Sequence, residues 1–327
     1  MKQQRKAVIA RNEVSEVKTY QLGGYQQKVL IEGLKRTNPM ILALHGGPGM
    51  PIPFGVGCRG MFPELTDQFI LVSWDQLGCG VNNCSLPEEL TIDHFVEMVG
   101  ELIQQLKRDY PQNMFILFGT SWGSILAAKA ATAYPNLIDQ VITYGQVSKQ
   151  LFFNQEVYAS LEQSQMPAKK LRTLHEIQKK SVPQKADTLK LSQWVKKYTS
   201  GYAGLNEDKS EMKEIVSDLF GSPDYRLRDF LALFVNGYSK NERLWQELLQ
   251  IDLTTTLSEV TIPYTIVQGD CDIVTSTKMI SEIIATSKNP QLSLKVIQGS
   301  GHIPNAQGMD ETFKEFYRMV EEHKRNR

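Results

Sequence analysis

Short runs of apolar residues, most of them β-branched or aromatic, recur along the chain at 40–44, 69–74, 114–118, 141–144, 264–268 and 292–297. Each run reads as a buried strand. Several are separated by stretches with apolar positions at helical spacing, at 92–107, 121–134 and 275–285. Strand and helix in alternation predict a mostly parallel sheet covered by helices on both sides, an α/β architecture. Near the start, 14–22 and 26–31 flank Gly23-Gly24 and predict a hairpin.

The alternation fails between 148 and 252, where Lys, Gln and Glu become frequent and helical spacing dominates, at 168–180, 189–198, 211–220 and 244–251. Pro167, Pro183, Gly201, Gly204 and Pro223 interrupt these patterns, so several short helices are expected. The segment 148–252 is therefore read as a helical cap inserted between two parts of one core, 1–147 and 253–327. The basic end of the chain, 323–327, reads as a solvated helix terminus.

Composition narrows the function. Lys plus Arg and Asp plus Glu are balanced at 36 each, so no excess positive field exists to draw in nucleic acid or an anionic membrane. The first residues lack the apolar core of a signal peptide, and no run approaches the roughly 20 apolar residues of a membrane span. A soluble, cytoplasmic protein is the expectation. Cys58, Cys79, Cys84 and Cys271 have no CxxC spacing, which points to free thiols and to no metal site. Cys271 stands beside an acidic pair and is expected to be open to alkylation.

The strongest chemical signal is Gly119-Thr-Ser121-Trp-Gly123, placed after the strand 114–118 and before a helix. A nucleophile on a sharp strand-to-helix turn needs small residues two before and two after it, because those positions approach each other. The helix that follows brings free N–H groups and positive dipole potential to the place where an oxyanion develops. On such a turn the acid and the base follow the serine in chain order. That order excludes His45 and His94, and the charged surroundings of His175 and His323 read as solvated surface. His302, in Gly299-Ser-Gly301-His302-Ile-Pro304 after the last strand, is the candidate base, since imidazole titrates near neutrality. Gly269-Asp270-Cys271-Asp272 follows the strand 264–268 and offers two acids. Asp272 is preferred because it lies further along the loop towards the histidine, and Asp270 is the alternative, with turn hydrogen bonding as its other role. His45-Gly-Gly-Pro-Gly49 follows the strand 40–44, and its glycines let a backbone N–H approach a reacting carbonyl. Gly47, or else Gly46, is the expected first oxyanion donor and Trp122 the second, with His45 as a brace for the loop.

Together, His45-Gly-Gly-Pro-Gly49, Asp75-Gln76 with Gly78 and Gly80, Gly119-Thr-Ser-Trp-Gly-Ser124, Gly269-x-x-Asp272 and Gly301-His302 resemble the prolyl aminopeptidase (proline iminopeptidase) family. The resemblance runs from about Gly24 to the end. It implies a capped α/β-hydrolase fold, no cofactor, and release of an amino-terminal residue, typically proline, from small peptides. Leu77 replaces the arginine usual in that family after Asp-Gln, and 230–239 lacks its glutamate signature. Small acyl esters are thus the competing substrate class. An aminopeptidase needs a carboxylate to hold the substrate ammonium, and Glu156, Glu207, Glu211, Glu214 and Glu242 are the candidates in the cap. A dinucleotide-binding reading of Gly55-x-Gly57-x-x-Gly60 is disfavoured, because Pro48, Pro51 and Pro53 separate these glycines from the preceding strand.

Overall fold

The structure, a computed structural model, describes residues 2–205 and 215–325. Eight strands form one sheet in the order β1-β2-β4-β3-β5-β6-β7-β8. They are β1 (Val14–Leu22), β2 (Tyr25–Gly33), β3 (Met40–Leu44), β4 (Ile70–Trp74), β5 (Phe115–Thr120), β6 (Gln140–Tyr144), β7 (Tyr264–Gly269) and β8 (Leu292–Ile297). The expected hairpin pairs Val14 with Gly33 through Leu22 with Tyr25, and β2 runs antiparallel to β4. From β4 to β8 every pairing is parallel. Gly23 and Gly24 make the hairpin turn at φ +57° and +83°, where side-chain-bearing residues are strained.

The continuous apolar runs become central strands because both faces are covered. Every residue of β3, β4 and β6 is buried. On one face the sheet packs against helices Ile92–Asp109 and Trp122–Ala133 through Phe95, Leu102 and Ile125. On the other face Phe316 and Met319, from the final helix Ala306–Arg325, close over Ile116, Phe118 and Tyr144. This is the mostly parallel sheet, covered by helices on both faces, that the strand–helix alternation predicts. Among the described residues no helix is long and apolar enough to cross a membrane.

Between β6 and β7 lie helices Gln155–Glu162, Ala168–Gln178, Lys185–Tyr198, Leu227–Leu231 and Glu242–Leu249. Of the expected helix 211–220, residues 215–219 are helical, and 206–214 lie outside the described residues. The ends of this excursion meet at a neck. Lys149 bridges to Asp252, and Leu253 N–H donates to Ser148 C=O at 2.7 Å.

Two elements differ from expectation for local reasons. The helix read as 275–285 begins at Thr277, because residues 272–275 wrap around the Asp272 carboxylate and Ser276 caps the helix through Met279 N–H. An amino-terminal helix, Lys2–Arg11, carries no apolar stripe for sequence reading to find. It is held instead by Arg5, which donates to the carbonyls of Gly57, Arg59 and Asp218. The glycines of 55–60 let neighbouring groups approach closely. A Cβ on Gly57 would lie 2.8 Å from the Tyr225 ring, and one on Gly60 would lie 2.7 Å from Arg5.

Candidate active site

The turn between β5 and helix Trp122–Ala133 holds Ser121 at φ 49° and ψ −116°. This strained conformation lifts the side chain out of the strand-to-helix path. Its neighbours must be small. A Cβ on Gly119 would fall 2.6 Å from Gly123 C=O, and one on Gly123 would fall 1.9 Å from Leu44 C=O. Ser121 N–H is anchored to Tyr144 C=O at 3.0 Å, and Ser124 Oγ donates to Ser121 C=O at 2.6 Å.

The loops after β7 and β8 complete the site. His302 Nε2 lies 2.9 Å from Ser121 Oγ, and its Nδ1 lies 3.0 Å from Asp272 Oδ2. Both residues are buried, at 6% and 2% exposure. A carboxylate only accepts, so the ring proton between them sits on Nδ1 and Nε2 is free to accept from the serine hydroxyl. Asp272 is held firmly. Its Oδ1 accepts from Val274 N–H and Thr275 N–H at 2.8 and 3.0 Å, and its Oδ2 accepts from Thr275 Oγ1 at 2.6 Å and Gln268 Nε2 at 3.3 Å. The structure thus brings Ser121, His302 and Asp272 together and leaves the alternative acid aside. Asp270 accepts from Gly299 N–H at 2.7 Å, which is a turn-bracing bond.

Several supporting residues escaped the sequence reading. Tyr144 OH bonds Ser300 Oγ at 2.7 Å and donates to Gly301 C=O at 2.9 Å, fixing the loop that carries the histidine. Gly145, at φ +65°, leaves the room in which the imidazole sits, since a Cβ there would lie 3.3 Å from the ring. Thr275 has a recoverable signal, because a threonine three residues after an aspartate in a loop is the pattern of a local side-chain turn. Tyr144 has none, as its partner lies 156 residues away.

The glycine loop after β3 passes beside the serine. A Cβ on Gly46 would lie 3.4 Å from Ser121 Cβ, and Gly47 takes φ +121°. His45 braces this loop as expected. Its Nδ1 bonds Gly46 C=O at 2.9 Å and its Nε2 accepts from Gln76 N–H at 3.0 Å. Gln76 in turn accepts from Trp122 Nε1 at 2.8 Å. The Trp122 side chain is therefore spent in the core, and its backbone N–H lies in the first helical turn, where an α-helix offers it no acceptor.

Two buried groups beside the site titrate against each other. Burial pushes His45 down from 6.5 to about 4, and the Gly46 contact opposes this only in part. Burial also pushes Asp75 up from 3.8 to about 6, against the bonds it accepts from Val81, Tyr225 and Val56. As pH falls from 6.5 to 4 the unfolded chain protonates His45 and the folded chain does not, so stability drops by roughly 3 kcal/mol from this group. Over nearly the same window the folded chain protonates Asp75 before the unfolded one, and stability rises by roughly as much. Denaturant midpoints should show the two contributions separately. His45→Gln should gain stability on acidification from pH 6 to 4, and Asp75→Asn should lose it; parallel curves would contradict the assignment.

A cleft of about 390 Å³ opens over Ser121 and His302. Its walls come from the glycine loop, from Phe54, Phe118 and Val274, and from the helices between β6 and β7. Among the described residues no Asp or Glu lines it. Glu156 accepts from Ser276 Oγ, and Glu242 pairs with Lys185 at 3.1 Å. Neither reaches the cleft, and Glu207, Glu211 and Glu214 lie outside the described residues. All four cysteines are free, and Cys271 is partly exposed as expected.

Residues 39–308 match a family model described as the alpha/beta hydrolase fold. A probable aminopeptidase, YbaC of Bacillus subtilis, is 25% identical over 89% of this chain and 92% of its own length. A proline iminopeptidase of Lactobacillus helveticus is 22% identical over 92% of this chain and 96% of its own. The crystal structure of the proline iminopeptidase of Mycobacterium smegmatis superposes with a TM-score of 0.60 at 18% identity, covering 93% of this chain and 96% of that one. With the family model spanning most of its length, the chain belongs to the α/β-hydrolase family, and within that family it is similar to the proline iminopeptidases.

Proposed function

We propose that this protein is a serine hydrolase in which Ser121 is the nucleophile, His302 the general base and then the general acid, and Asp272 the group that orients the imidazole. The observation that carries this reading is the unbroken hydrogen-bonded path from Asp272 through His302 to Ser121, opening onto a cleft. In the first half-reaction Ser121 Oγ attacks the substrate carbonyl carbon and passes its proton to His302 Nε2. The imidazolium then protonates the leaving amine or alcohol, and an acyl-enzyme remains. Water repeats the cycle and frees the acid. The backbone N–H groups of Gly47 and Trp122 are assigned to the oxyanion, with Gly46 as the alternative first donor. In this reading the segment 148–252 is the cap that selects the substrate, and acyl transfer by this route needs neither metal nor cofactor.

Aminopeptidase activity on small peptides is the substrate assignment supported by the full-length relatives. A second reading, hydrolysis of small carboxylic esters, is favoured by the cleft itself, which among the described residues offers no carboxylate to a substrate ammonium. Burying that ammonium without a partner costs several kcal/mol. The two readings separate on aminoacyl arylamides paired with their N-acetylated analogues. An aminopeptidase should cleave the free amine at least about tenfold faster, since removing a charge-assisted contact costs about 1.5–3 kcal/mol. Equal or faster cleavage of the blocked form would reject the aminopeptidase and leave the esterase.

A further inference from the structure

Helix Lys185–Tyr198 presents Thr188, Leu189, Ser192 and Lys196 to the Ser121 cleft, a stripe at helical spacing. Lys196 is the one side chain of permanent charge that the described residues contribute to this lining. Its ammonium lies 4.2 Å from the centre of the Tyr202 ring. That ring lies in turn 5.8 Å from the ring of His302. The lysine is therefore one aromatic ring away from the base. Lys180 is paired with Asp187 and Lys185 with Glu242. Among the described residues Lys196 has the Tyr202 face and no such acid.

The walls around it are mostly apolar. Lys196 is an exposed residue at the wall of the cleft, and its charge gives the mostly apolar cleft a positive potential that attracts an anion and repels a second cation. We propose that Lys196 is a specificity-determining residue that receives a carboxylate of the substrate remote from the bond being cleaved. The natural substrates are then small acyl compounds, peptides or esters, that carry a free carboxylate. A single ammonium offers one point charge and no fork of donors, which suits a carboxylate of one charge. The inference rests on the assignment of Ser121 as nucleophile, and the experiment keeps the two apart.

Mono(p-nitrophenyl) glutarate, its methyl ester and p-nitrophenyl butyrate form a series that differs in charge at the far end of the acyl chain. The readout is the ratio of kcat/KM for the anionic ester to that for the methyl ester. The wild-type ratio should be about tenfold or more at low ionic strength and should shrink with added salt, as expected of a partly solvated charge pair. Lys196→Met should bring the ratio close to one, Lys196→Glu should invert it, and Lys196→Arg should keep it, with circular dichroism verifying that each variant is folded. A wild-type ratio near one, or a ratio that survives in folded Lys196→Met, would overturn the proposal. A folded wild-type protein that takes a fluorophosphonate label on Ser121 but hydrolyses none of the three esters would overturn this proposal alone, whereas absence of that label would refute the Ser121 assignment and this proposal with it.

Discussion

Ser121→Ala is expected to lower kcat by roughly a million-fold, the scale of a nucleophile knockout in a serine hydrolase. The hydroxyl is the one group on this turn that lies within hydrogen-bond reach of an imidazole, at 2.9 Å from His302 Nε2. The backbone conformation does not depend on it. Ser121 N–H is tied to Tyr144 C=O, and the approach of Gly119 to Gly123 and of Gly123 to Leu44 sets the turn from outside the serine. Alanine can occupy φ 49° at about the same cost as serine, so the variant should unfold at a denaturant concentration close to that of the parent. Steady-state kinetics and a urea titration on the same preparation test both halves. Retention of activity in a folded variant would remove Ser121 from the chemistry.

Asp272→Asn is expected to lower turnover by about ten-thousand-fold, because an amide in that place favours the wrong imidazole tautomer. The effect should be large here because Asp272 faces a crowd of donors. Val274 N–H, Thr275 N–H, the Thr275 hydroxyl and Gln268 Nε2 all point at it, so an amide NH₂ would meet donors on either side. Some stability should be lost as well, on the order of 1–3 kcal/mol for a buried donor left without an acceptor. Asp270→Asn is the control. Asp270 accepts from Gly299 N–H, and an amide oxygen can accept that bond too. Its effect on kcat should stay within about tenfold. If Asp270→Asn were the more damaging of the two, the orienting role would move to Asp270.

The fold was legible because it depends on patterns that are local in sequence. Runs such as 40–44 and 69–74 are almost wholly apolar, and helical stretches lie between several of them, so a covered parallel sheet follows. The serine turn was legible for the same reason, since Gly119, Ser121 and Gly123 are close in sequence as well as in space. His302 and Asp272 could be placed only through chain order and their positions after strands. What could not be read was whatever depends on contact between distant segments. Tyr144 under the histidine loop, Gln76 between His45 and Trp122, and Tyr225 bonded to Asp75 each join parts of the chain with no shared local signal. The amino-terminal helix escaped because hydrogen bonds from Arg5, and not an apolar stripe, hold it in place. The cap acids were the weakest part of the reading. Carboxylates on short helices are commonly solvated or paired, and Glu242 with Lys185 behaves that way.

The most direct test of the central claim is covalent. A fluorophosphonate reacts with a serine only when a neighbouring base has activated it, so the site of labelling reports nucleophile and base together. Intact-mass measurement after labelling, followed by peptide mapping, should find one adduct per chain, located on Ser121. Labelling should disappear in Ser121→Ala and slow by orders of magnitude in His302→Gln. A labelled serine elsewhere in the chain, or a folded wild-type protein that takes up no label, would contradict the account.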